Sequence, residues 1–152
     1  MKILLAFLIL LSLTKIAHTA GSDSDNSVVK PKNYSKIKKL IKKENYSLAI
    51  QKLEEVLQNT KFKDDPDVIN LYAFSLRKDG QLEKSEKQYK IALEIDPKHR
   101  GALEYLGELY VNTNRLSQAK LLLKKLENCR CKEYSRLELS LIHISEPTRP
   151  SR

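Results

Sequence analysis

Between residues 33 and 139, apolar side chains recur three and four positions apart, the spacing that gathers them on one face of an α-helix. Ile37, Leu40 and Ile41 form such a stripe and predict a helix over about residues 33–43. Asn45 precedes a second stripe carrying Leu48, Ala49, Leu53 and Val56. Asp65-Pro66 suits the opening of a helix, because proline at the first helical position lacks only a donor that would be unpaired anyway. Asp96-Pro97 suits the end of one, because proline disfavours helix at the residue before it. The pattern predicts an all-α chain.

A period of 34 residues runs through the middle of this pattern, the length of one helix–turn–helix repeat unit. Ala73 recurs as Gly107, Leu76 as Tyr110, Ser85 as Ala119, Tyr89 as Leu123 and Ala92 as Leu126. Small residues are expected where two antiparallel helices cross closely, which pairs Ala73 with Ser85 and Gly107 with Ala119. An earlier copy is degenerate. Ile37 stands where a small crossing residue belongs, and two extra residues in 61–66 separate Ala49 from Ser85. Leu103, Leu106-Gly107, Tyr110 and Ala119 resemble the tetratricopeptide-repeat (TPR) pattern, as do Ile69, Tyr72-Ala73, Leu76, Ser85, Tyr89, Ala92 and Pro97. That resemblance implies an α-solenoid of about three helical hairpins over residues 33–139, with a partial capping helix.

A more specific likeness lies in residues 67–138. Asn70 to Lys78, Asp96 to Tyr110 and the Cys129-Arg130-Cys131 segment are similar to a family of exported bacterial TPR proteins of unassigned function. It implies the helical fold and an exported location, and no chemistry.

Both ends of the chain depart from the repeat. Met1-Lys2, the apolar run from Ile3 to Leu13 and His18-Thr19-Ala20 have the build of a secretory signal peptide over residues 1–20. Export is therefore expected, to the periplasm if the source is bacterial and otherwise by secretion. Residues 21–32 read as a flexible linker. Residues 140–152 carry two prolines and resemble translated sequencing-adapter read-through, so helix and fold are expected to stop near Ser140, with the natural C-terminus lost.

Composition narrows the chemistry. The chain of 152 residues has a formal net charge of +9, no Trp, three His and two Cys. With both ends set aside, His99 is the one histidine left for a nucleophile–base pair. It falls in the turn after Pro97 and reads as a helix-end cap, favourable near a helix C-terminus. No Gly-rich phosphate loop and no spaced ligand cluster is present. No enzyme, cofactor or metal is therefore expected. Cys129 and Cys131 admit a disulfide, a soft-metal thiolate pair or two thiols with other partners.

Lys36, Lys39 and Lys43 share a helix face opposite Ile37 and Ile41. Such a face is either solvated or able to associate weakly with an anionic envelope surface. It lacks Arg and has only Tyr34 and Tyr46 nearby, so nucleic acid is not indicated. The default binding surface of a TPR fold is the concave groove lined by the first helix of each repeat. Its candidates here are Tyr34, Lys38, Ile41, Asn70, Phe74, Arg77, Lys78, Glu104, Glu108 and Val111. The Lys and Asn set of chaperone-tail clamps is absent: the matching positions hold Tyr34, Lys38, Leu71, Gly101 and Tyr105. The expected activity is capture of a protein or peptide partner.

Overall fold

The computed structural model describes residues 30–145. It is all-α: α1 (Tyr34–Lys42), α2 (Tyr46–Leu57), α3 (Pro66–Lys78), α4 (Leu82–Ile95), α5 (Arg100–Asn112), α6 (Leu116–Leu126) and α7 (Lys132–Ser145), with a short 3-10 turn, Glu127–Cys129, before α7. Each helix packs on the next in the chain, and α5 also packs on α3 and α7.

Local chemistry sets the helix ends. The Asp65 side chain accepts from the backbone N–H groups of Asp67 and Val68, with Pro66 opening α3. Asp96 is extended and ends α4, as Asp96-Pro97 predicts. The turn within each of the first three helix pairs is the same. Glu44, Gly80 and Asn114 take positive φ values of 57°, 84° and 58°. The following amides of Asn45, Gln81 and Arg115 donate to the carbonyls of Leu40, Leu76 and Tyr110. This is the Schellman arrangement, which satisfies the last carbonyls of a helix through a left-handed residue. It recurs at the spacing of the sequence repeat, including the degenerate first copy.

Two apolar clusters hold the helices together. The smaller joins Ile37, Ala49, Leu53 and Val68. The larger runs through α3–α7 and includes Ile69, Ala73, Tyr89, Leu103, Leu106, Leu122, Leu126 and Leu137. Helix α3 serves both, through Val68 on one side and Ile69 and Ala73 on the other. Ser85 is fully buried at the α3–α4 crossing, where its hydroxyl donates to the Ala73 carbonyl at 2.7 Å. Gly107 lies close against α7. A Cβ there would stand 2.6 Å from Leu137 Cδ1 of α7 and closer still to Cδ2, so the absent side chain admits α7.

Two expected boundaries move. The helix does not stop at Ser140: α7 runs to Ser145, and Leu141 is buried in the larger cluster one turn beyond Leu137. None of Leu141-Ile142-His143-Ile144 is proline, so nothing in that run interrupts the helix. The expected linker also ends early. Pro31 is buried, and the Lys30 ammonium pairs with Asp65 at 3.5 Å and with Asp67 at the start of α3. The expected signal peptide lies outside the described residues. Among those described, no helix is long and apolar enough to cross a membrane.

Candidate binding groove

Helices α3, α5 and α7 share one face, and side chains from all three meet there. Asn70, Phe74 and Arg77 follow one another at helical spacing along α3. Phe74 lies against Tyr105 of α5 with ring centroids 5.0 Å apart and planes at 51°, and Tyr105 lies 6.4 Å from Tyr89 of α4. The Arg77 guanidinium sits 5.5 Å from the Phe74 ring and 5.6 Å from the Tyr105 ring. From there its Nη2 donates to Glu108 Oε2 at 2.8 Å. Lys78 is exposed, with its ammonium 5.9 Å from Phe74. Gly101 leaves room for Asn70, whose Nδ2 would stand 3.0 Å from a Cβ at that position.

Glu104 is the unexpected member. It faces the groove, yet it is 2% exposed. Arg136 of α7 donates to its Oε1 at 3.3 Å. Burial pushes the carboxyl up to about 7, and the charge of Glu108 adds to the rise against the opposing pull of Arg136. Near neutrality Glu104 is therefore poised between acceptor and donor. The Tyr89 hydroxyl, Arg77 Nε and Asn70 Oδ1 are buried without a hydrogen-bond partner among the described residues. Burial also raises the Tyr89 phenol well above its ordinary value.

Other expected groove residues lie elsewhere. Val111 is 3% exposed and belongs to the larger core cluster, and Ile41 is half-buried against the smaller one. Tyr34 and Lys38 join a separate polar cluster at the start of α3. There Tyr34 has the Lys38 ammonium 5.0 Å and the Lys30 ammonium 5.7 Å from its ring. Burial, with Asp67 and Asp65 nearby, raises the Tyr34 phenol to about 12. His99 links this cluster to α5. It caps the N-terminus of that helix and not the C-terminus of its predecessor, because its Nδ1 accepts from the Ala102 N–H at 3.0 Å. The proton of the neutral ring then sits on Nε2, 3.0 Å from Asp67 Oδ1. Burial raises the Asp67 carboxyl, but the hydrogen bonds from Lys30 and His99 outweigh it and hold the group below the usual carboxylate range.

Cys129 and Cys131 are bonded to each other, with Cα atoms 5.1 Å apart, and they pack against the larger core cluster. Lys36, Lys39 and Lys43 are exposed, while Ile37 on the opposite side of α1 is fully buried.

Tyr105 and Arg136 line this face although they were not among its expected residues. A signal for both exists in the numbering. Arg77–Glu108 are 31 residues apart, and Glu104–Arg136 and Asp67–His99 are 32 apart. Phe74 and Tyr105 follow the same rule. Each pair is one 34-residue repeat less two or three residues, the offset at which these neighbouring first helices meet.

The sequence matches no protein-family model and no curated protein.

Proposed function

We propose that this chain is an exported, TPR-like scaffold that holds a protein or peptide partner along the shared face of α3, α5 and α7. The observation that carries this reading is the packed set Phe74, Arg77, Tyr105 and Glu108. Aromatic rings and a guanidinium, held rigid by each other, form the kind of centre that dominates interface energetics. Arg77 is oriented in advance by its pair with Glu108, so little side-chain freedom is lost on binding. The 34-residue period and the thrice-repeated Schellman turn support the TPR-like reading of the scaffold. The N-terminal segment supports export.

The test uses the secreted chain with a photo-cross-linking side chain at Lys78, on the rim of the set. Cross-links to a partner should form in the unmodified background and fall about tenfold or more in Phe74→Ala/Arg77→Ala, a loss typical of central interface residues. The triple change of Lys36, Lys39 and Lys43 to Gln should leave them. Circular dichroism of each variant shows whether the helices persist. Cross-links that survive the double change, or that vanish with the lysine change alone, move the site off this face.

A further inference from the structure

The N-terminal hairpin carries a second surface with different chemistry. Two clefts, of about 520 and 370 Å³, adjoin there and share Asn33 and Lys52. Both volumes fall in the range of ligand-binding clefts. The floor of the first includes Pro31, Val56 and Phe62, and that of the second includes Ile37, Leu40 and Leu48. The rim is cationic, with Lys32, Lys36, Lys39 and Lys61 around the shared Lys52. Glu55 is the one carboxylate lining either cleft, and Lys52 already holds it at 2.6 Å. Lys32, Lys36, Lys39 and Lys61 are exposed and make no ion pair among the described residues. Leu48, 37% exposed, keeps part of the floor open to solvent.

We infer that this trough is a docking site for an acidic peptide segment in which carboxylates alternate with apolar side chains. An extended chain places successive side chains on opposite sides. Its apolar members can then reach the floor while its carboxylates meet the lysine rim, which sets orientation and speeds encounter. A bilayer surface complements the lysines equally well but not the recessed apolar floor. The site is separate from the α3–α5–α7 face and stands or falls without it.

The probe is a fluorescein-labelled peptide of alternating Glu and Leu, titrated with the full secreted chain and followed by anisotropy. Binding should saturate and should weaken about tenfold when salt rises from about 0.05 M to about 0.5 M, as exposed charges become screened. Lys36→Glu/Lys39→Glu/Lys61→Glu should weaken it about tenfold or more. Leu48→Asp should weaken it while leaving the salt dependence in place. Phe74→Ala/Arg77→Ala should retain it, which separates this site from the groove. Four results overturn the inference: no binding, equal binding of the peptide with Lys in place of Glu, sedimentation with phosphatidylglycerol vesicles without peptide binding, or peptide binding that appears only when residues 21–29 are deleted. The last would mean that Asp23 and Asp25 of the chain itself already occupy the lysines.

Discussion

The hairpin α1–α2 and the helices α5–α7 use the same Schellman turn, yet they are finished differently. Helix α1 fully buries one residue, Ile37, whereas α5 buries eight of its 13, so α5 is a centre and α1 an edge. At the edge the side chains left over are lysines above an apolar trough. At the centre they are rings, guanidiniums and carboxylates, with Arg77 paired to Glu108 and Arg136 to Glu104. The difference follows from neighbours. Helix α5 has partners in α3, α4, α6 and α7, while α1 rests chiefly on α2. A helix packed on several sides can hold charge only in pairs, because an unpaired buried charge is expensive. A helix at the edge can leave its charges to water or to a ligand.

The largest expected effect lies at the centre. Gly107→Leu should cost about 3 kcal/mol, the upper part of the usual range for overpacking, because Leu137 already fills the space. A double-mutant cycle sharpens this. Gly107→Ala should destabilise the unmodified chain in urea titrations but cost little or nothing in a Leu137→Ala background. An equal cost in both backgrounds would show that Gly107 is small for some other reason.

The pH dependence set by Glu104 in α5 and that set by Asp67, in the cluster that ties α1 to the start of α3, should run in opposite directions. Glu104 rises from 4.5 to about 7 on folding, so the folded state keeps a proton that the unfolded chain releases. Its contribution is complete below the unfolded value and is lost as pH rises through about 7. Glu104→Gln should therefore stabilise the protein at pH 8 by about 2 kcal/mol and flatten the fall in melting temperature between pH 5 and pH 7. Asp67 is depressed on folding, so its contribution is present above the ordinary carboxylate value and is lost as pH falls through the folded one. Asp67→Asn should lower the melting temperature at pH 7 and converge with the unmodified protein as pH falls through the depressed value of the folded state. Thermal melts across pH check both. Parallel profiles for the two variants would contradict the assigned environments.

The smallest effects test what the regions share. Glu44 pays the steric cost of a left-handed backbone that Gly80 avoids. Glu44→Gly should add about 1 kcal/mol of stability, and Gly80→Ala should remove about as much. Chemical denaturation of the two variants measures this. No gain at Glu44 would mean that its side chain compensates for the turn.

Much of the fold was legible because it is written in short-range chemistry. The helical spacing of Ile37, Leu40 and Ile41, the cap and proline at Asp65-Pro66 and the stop at Asp96-Pro97 each act within a few residues. The groove was partly legible. Phe74, Arg77, Glu104 and Glu108 were named from helix position and do converge, whereas Tyr34, Lys38 and Val111 do not join them. The stop at Ser140 was misread because the two prolines outweighed the continuing Leu137–Leu141 stripe.

The sequence by itself determined where α3 begins, where α4 ends and the period at which the pattern recurs, since caps, prolines and backbone hydrogen bonding act from within a helix. Only the tertiary structure decided that Leu137 closes on Gly107, that Arg136 answers Glu104, and that Glu104 is buried enough to hold its proton near neutrality. These depend on how far one helix slides along the next, and a slide of one turn exchanges every partner while leaving each helix's own pattern unchanged.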